Sequence, residues 1–383
     1  MKLSILTATY NRVEYLPKLY ESIKNNLKYN LTPEWVIVDD GSNDNTKQVV
    51  KEFIDENRVI IKYIFQQNKG KMAAINEAVK LATGDLIIDC DSDDYFLENS
   101  FEIIEKNASK LLNNENLYGL VFLKKEENGL ISGNEFKTKE HITTMFDLYF
   151  KEDIQGEKIL VYNSKVRKLF FHELEDKEKF ITEARMYHKM DEKYQLLAIN
   201  EAVEQGSYKA DGYTKNINKT FLESPKGYYM YFKELLEKDM KGVRLNKRLY
   251  AIKHYILFSY LTKNGFNNKF IKDSLNKIIY TFLYLPGKLK SKKIKEKRWK
   301  NMEILSFFIA MVVLYVVLKI LTVPVKIIIK LLINAFVGGV ILFVINLIGA
   351  SFGFTIAITW LTSLIVGFLG VPGVIIVILM TIF

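Results

Sequence analysis

Short apolar runs alternate with amphipathic stretches through the first third of the chain. Leu3–Ala8 reads as a buried strand, Glu14–Asn26 as an amphipathic helix and Trp35–Val38 as a second strand. Asn43–Phe53 is the next predicted helix, with Ser42 as its cap, and Ile60–Phe65 a third strand. A helix over Met72–Ala82, a strand at Leu86–Asp89 and a helix over Leu97–Leu111 complete the series. Such an order predicts an α/β fold, a mostly parallel sheet with helices on both faces, and it puts the chemistry in the loops after the strands. Those loops are Thr9–Arg12, Asp39–Ser42, Gln66–Lys71 and Asp91–Asp94. Beyond them, residues 126–215 carry weaker mixed signals. Residues 222–285 read as helical, with Tyr and Phe at a spacing that suits packing or, more sharply, a membrane-docking surface.

The pattern changes near residue 302. Roughly 20 apolar residues span a bilayer as a helix, and three stretches approach that length: 302–323, 327–349 and 355–383, the last interrupted by Gly367, Gly370, Pro372 and Gly373. Two or three spans are therefore expected. Charge sharpens the picture. The net charge is +10, of which residues 288–300 contribute +7 and residues 301–383 a further +2, leaving +1 for residues 1–287. A balanced soluble part gives no support to nucleic-acid binding. The basic run abutting a span reads as a cytoplasmic juxtamembrane linker. Residues 1–300 are thus expected in the cytoplasm, with no cleavable signal ahead of them.

Asp91-Ser92-Asp93-Asp94 closes the fourth strand. Three carboxylates in four residues repel one another unless a cation or partner is present, and hard oxygen ligands suit Mg²⁺ or Mn²⁺. The same composition also serves ordinary turns and caps. A single cysteine, Cys90, excludes a disulfide framework and a cysteine zinc site, and the four histidines, His141, His172, His188 and His254, show no ligand spacing.

Taken with Thr7-Ala8-Thr9-Tyr10-Asn11-Arg12, Val38-Asp39-Asp40-Gly41-Ser42, Asn68-Lys69-Gly70-Lys71 and Gly84-Asp85, the acidic motif resembles the family 2 glycosyltransferases of the GT-A nucleotide-diphospho-sugar type over residues 1–220. The resemblance implies a nucleotide-sugar donor contacted by Thr9, Asn11, Arg12 and Asp40, with Asp39 the neighbour most easily exchanged with Asp40. It implies that Lys71 approaches the nucleotide, that Asp91 lies near the ribose, that Asp93 binds Mn²⁺ or Mg²⁺, and that Asp94 is structural. Phe180-Ile181-Thr182-Glu183-Ala184 resembles the region bearing the catalytic base of an inverting transferase, which implies Glu183, with Glu173, Glu175 and Asp176 as rivals. Tyr208–Thr214, with Asp211-Gly212, looks like an acceptor-side turn. His188 is expected to be a structural histidine or to touch the diphosphate. Cys90, flanked by acids that raise a thiol's pKa, reads as a small buried residue rather than a nucleophile.

The tail resembles a second family. Asn334-Ala335-Phe336-Val337-Gly338-Gly339, Asn346-Leu347-Ile348-Gly349 and Gly367–Gly373 are similar to the pro-sigma-K processing inhibitors, small membrane proteins that restrain an intramembrane metalloprotease. Asn346 and Thr362 match polar positions of that family, and Thr359 stands where its pattern has asparagine. The expected organisation is a transferase domain over 1–220, a helical extension over 221–287, a basic linker over 288–300 and a transmembrane domain over 301–383. The expected activity is that of a transferase in a bacterial cytoplasmic membrane acting on a glycan or lipid-linked acceptor of the cell envelope. A regulatory membrane protein whose tail binds a membrane-protein partner is the alternative.

Overall fold

The computed structural model describes residues 1–175, 178–206, 217–265, 267–284, 329–350 and 355–382. The chain divides into two compact units, Met1–Lys293 and Ile294–Phe383. The basic run 288–300, the expected span 302–323, Asp176 and the turn at 208–214 lie outside the described residues apart from the unit boundaries.

In the first unit β1 (Lys2–Thr9) sits at the centre of one half of a nine-stranded sheet. It is flanked in parallel by β2 (Thr32–Asp39) and β4 (Leu86–Asp89), and β3 (Ile60–Phe65) adds in parallel beyond β2. The connecting helices are α1 (Leu16–Asn25), α2 (Thr46–Glu56) and α3 (Lys71–Leu81). From β1 the chain steps outward to β2 on one side and later to β4 on the other, so the strand order reverses between β1 and β4. Loops leaving the carboxyl ends of β1, β2 and β4 therefore share one edge, and a crevice opens where they part.

The sheet continues through β5 (Tyr95–Phe96), β6 (Leu117–Glu126), β7 (Glu140–Thr143), β8 (Lys158–Asn163) and β9 (Gln195–Gly206). Here β8 runs antiparallel between β4 and β6, while β9 is parallel to β6. Helices α4 (Ser100–Leu112), α5 (Ser164–Arg167) and α6 (Ala184–Met190), with a π-helical turn at Asp147–Lys151, complete this part. One core layer centres on Trp35, fully buried, whose indole N–H donates to Thr7 Oγ1 at 2.9 Å and whose ring lies 6.1 Å from both Tyr20 and Phe53.

Ser42, expected to cap α2, does not. The helix begins at Thr46, where Asp44 accepts from the backbone N–H at 3.1 Å and the hydroxyl at 2.6 Å. The Ser42 hydroxyl instead accepts the N–H of Asn11, so a long-range loop contact displaced a local cap.

Helices α7 (Ile217–Glu223), α8 (Pro225–Glu237), α9 (Leu245–Leu261) and α10 (274–284) follow within the same compact unit. Their aromatic residues form a core of their own, including Tyr228, Phe232, Tyr255 and Phe258. Arg185 of α6, 5% exposed, clamps this layer to the sheet through Glu234 of α8 at 2.8 Å.

In the second unit α11 (Ile329–Gly349) is long and apolar enough to cross a membrane. The stretch expected at 355–383 is broken into α12 (Trp360–Leu369) and α13 (Val371–Ile382) at Gly370, whose φ of 62° lies in the left-handed region. Asn346 makes two 2.7 Å hydrogen bonds with the backbone of Ile356, satisfying groups that lipid would leave unpaired. A methyl group at Gly338 would overlap the carbonyl of Ser363, and one at Gly367 that of Asn334, so small residues set the approach of α11 and α12.

Candidate functional site

A cavity of about 1300 Å³ opens at the carboxyl edge of β1, β2 and β4. That exceeds the roughly 300–1,000 Å³ of a usual small-ligand pocket, so it has room for two reactants. Thr9, Asn11, Arg12, Asp40, Lys71, Asp91, Asp93 and Glu183 all line it; Asp39 does not.

The two adjacent aspartates after β2 divide their work. Asp39 accepts from the Ser42 N–H at 2.8 Å and the Tyr63 hydroxyl at 2.7 Å, which turns it into the protein. Asp40 accepts from the Gln66 side chain at 2.7 Å and from the N–H groups of Lys69 and Gly70, each at 2.8 Å. Its carboxylate thereby folds the loop before α3 back over the end of β2. Asn11, at φ 50°, ties the first loop to the second through Ser42 and Asn43. The Thr9 hydroxyl is buried with no hydrogen-bond partner, the sort of orphaned polar atom that a ligand satisfies.

At the mouth of α3, Lys71 Nζ stands 2.7 Å from Asp91 Oδ1 and 3.1 Å from Glu183 Oε1. Burial by itself would discharge this lysine, but the two carboxylates outweigh it and hold the pKa well above the ordinary value. Glu183 Oε2 accepts from the Tyr187 hydroxyl at 2.9 Å, one helical turn further along. Burial opposes ionisation of Glu183, yet Lys71 and Tyr187 bring its pKa down to about 2. The site therefore keeps an ionised carboxylate facing the cavity with both oxygens oriented. The rivals lie elsewhere: Glu173 and Glu175 face Arg185, at 3.1 and 3.5 Å.

The acidic motif splits in two. Asp91, Asp94 and Glu157 bring oxygens within 4.8 Å of one another, a group that could hold a metal ion. Asp93 turns instead toward Arg12, 3.6 Å away, and burial beside Asp91 pushes its carboxyl up. Hard oxygen donors fit Mg²⁺ or Mn²⁺. The ammonium of Lys124 already sits in that group, 2.6 Å from Asp94 and 2.9 Å from Glu157. Lys158 adds a second cation to the wall. Its Nζ donates to the carbonyls of Ser132 and Gln155, and burial lowers its pKa to about 8. Burial pushes the Cys90 thiol well up, and His188 is stacked by Tyr231 and met edge-on by Phe146 and Phe150.

Sequence reasoning missed Lys124, Glu157, Lys158 and Tyr187. The first three lie on or beside β6 and β8, strands without a motif. Tyr187 was within reach, being four residues after Glu183 and so on the same helical face.

A half-parallel sheet with an acidic turn after the strand beside its switch point defines a GT-A nucleotide-diphospho-sugar transferase fold, followed by a C-terminal helical region. Residues 4–173 match the family described as glycosyl transferase family 2, and residues 309–383 the family described as SigmaK-factor processing regulatory protein BofA. The chain thus joins a segment that matches the glycosyl transferase family 2 model to one that matches the BofA model. An uncharacterised glycosyltransferase of Mycoplasma genitalium is 37% identical over 113 residues, covering 29% of this chain and 38% of that protein. A dolichyl-phosphate β-glucosyltransferase of Trichomonas vaginalis is 34% identical over 120 residues, covering 30% of this chain and 37% of its own length. The chain therefore spans well under half of these relatives. Among solved structures, S. aureus TarS is similar with a TM-score of 0.50 at 17% identity, over 76% of this chain and 54% of that one, a likeness of fold.

Proposed function

We propose that the protein moves a sugar from a nucleotide-diphosphate donor to an acceptor hydroxyl with inversion, while held at a membrane by its C-terminal unit. The observation that carries this reading is the Asp91–Lys71–Glu183 bridge inside a cavity whose other wall is the Thr9–Arg12 loop.

In this reading the nucleotide lies against Thr9, Asn11 and the loop that Asp40 holds, and Arg12, Lys71 and Lys158 face the diphosphate. Glu183, ionised throughout the physiological range, accepts the acceptor's hydroxyl proton as the hydroxyl oxygen attacks the sugar carbon from the face opposite the departing diphosphate. Lys71 and the neighbouring cations oppose the charge that grows on the leaving group, usually the largest catalytic contribution. Asp93, with Asp91, Asp94 and Glu157 nearby, would hold Mg²⁺ or Mn²⁺, which supplies further charge neutralisation at the diphosphate.

The likeness to a dolichyl-phosphate glucosyltransferase and the apolar helix Ile329–Gly349 support an acceptor of the cell envelope, glycan or lipid-linked, reached from a catalytic domain on the cytoplasmic face of a bacterial membrane. Thermal stabilisation by a panel of nucleotide sugars with and without Mn²⁺ tests the donor. A ligand at 100 times its dissociation constant adds about 2.7 kcal/mol. Silence across the panel from folded protein rejects the proposal.

A second reading rests on the BofA match: the tail also binds an intramembrane metalloprotease or other membrane-protein partner. Replacing residues 309–383 by an unrelated hydrophobic anchor tests it, because full function with the foreign anchor excludes a recognition role.

A further inference from the structure

Beyond Glu183 the cavity runs on between the sheet and the helical layer, and its wall there is aromatic. His188 follows Tyr187 on α6, and its ring stacks on Tyr231 of α8 at 5.7 Å and 25°. Phe150 meets the same imidazole edge-on at 6.1 Å, and Tyr250 of α9 closes the outer end, 49% exposed. All four rings line the cavity that holds Glu183. Burial drives the His188 pKa down to about 3, so the platform is uncharged at neutral pH. Burial likewise raises the phenols of Tyr231 and Tyr250, which stay protonated and able to donate. The exposed Asn246 and the half-buried Lys247 add polar handles at the rim.

Ring faces bordered by hydroxyl, amide and ammonium groups match a molecule with an apolar C–H face and a hydroxylated edge. A polyprenyl chain would bury those polar groups without partners, at about 1–3 kcal/mol each. A polyanion meets little net attraction, since Lys247 faces Asp153 at 3.5 Å and Arg244 pairs with the same carboxylate. We infer that this wall is an acceptor subsite that stacks a sugar ring of the acceptor on Tyr231 and Tyr250, with the buried His188 ring backing Tyr231. The inference rests on the transferase reading and narrows its acceptor from any envelope hydroxyl to a carbohydrate.

The test uses the full chain in phosphatidylcholine nanodiscs, free of sugar detergents. Saturation-transfer NMR is recorded with UDP or GDP present and the methyl glycosides of glucose, galactose, mannose and N-acetylglucosamine as probes. Saturation of the ring C–H protons of at least one glycoside is expected. Tyr231→Ala should weaken that binding about tenfold or more and Tyr231→Phe should largely restore it; Tyr250→Ala, at the exposed end, serves if Tyr231→Ala does not fold. Nucleotide saturation without any glycoside signal, or glycoside binding that Tyr231→Ala and Tyr250→Ala leave unchanged, overturns the subsite and spares the transferase reading. Loss of both nucleotide and glycoside signals in folded wild-type protein overturns both.

Discussion

Lys71 stands between Asp91 and Glu183, 2.7 and 3.1 Å from their carboxylates, and so joins a strand-end loop to a segment more than ninety positions further along the chain. In the proposed reaction this lysine neutralises the diphosphate and sets the charge on the base. Lys71→Met should lower kcat by about 10²- to 10³-fold, the usual loss when one charge-stabilising donor is removed. Lys71→Arg should retain part of the rate. Steady-state kinetics with the donor found by thermal shift decides the matter, and a Met variant as fast as wild type would remove Lys71 from the mechanism.

Tyr187 donates to Glu183 at 2.9 Å, and this bond helps depress the carboxylate. Tyr187→Phe keeps the ring and removes the donor, so the Glu183 pKa rises and the acidic limb of the kcat/KM profile moves to higher pH. An unmoved limb would show that the hydroxyl serves packing alone.

Lys124 occupies the acidic group of Asp91, Asp94 and Glu157 with its own ammonium. Removing that charge by Lys124→Met should strengthen Mn²⁺ binding in the absence of donor, read as loss of free-ion signal by electron paramagnetic resonance. Chelation by EDTA should abolish transfer by the wild type, and Asp93→Asn should weaken it. Transfer that survives EDTA would assign the diphosphate to Arg12, Lys71, Lys124 and Lys158 instead.

His172 and His188 are each 5% exposed, and burial lowers both pKa values to about 3. Because the unfolded chain protonates near the ordinary value of about 6.5 and the folded protein does not, their contribution is intact above that pH. It is lost as pH falls, at up to about 1.4 kcal/mol per pH unit per histidine. Asp89 and Asp191, which burial pushes up to about 6, act in the opposite sense, so the difference between variants is the readout. His188→Phe should flatten the slope of unfolding free energy between pH 6 and 5, measured by urea titration. An unchanged slope would mean that His188 charges in the folded protein.

The first four strands and the loops that follow them were legible because parallel α/β units announce themselves by period, and because the switch-point rule puts ligands at strand ends. In the tail, only the break was legible: the glycines interrupting the last apolar stretch mark the turn at Gly370 between two short helices. What escaped belongs to strands added out of order. Nothing in sequence near Lys124 on β6, or Glu157 just before β8, says that β8 slips between β4 and β6 so that both residues meet the acidic turn. Nor does spacing say which carboxylate of Asp91-Ser92-Asp93-Asp94 faces which neighbour. The Asp94 N–H donates to the Asp91 carbonyl at 3.0 Å, and that turn, rather than strand alternation, sends Asp93 to Arg12.

Gly70 precedes Lys71 at φ 96°, and any Cβ there would collide with the backbone carbonyl of Lys179, four residues before Glu183. The loop that offers Lys71 and the segment that carries Glu183 thus rest backbone on backbone, with no side chain as a cushion. In the proposed reaction, such a seam would pass a shift of the loop, as a nucleotide settles, to the segment bearing Glu183 without any intermediary.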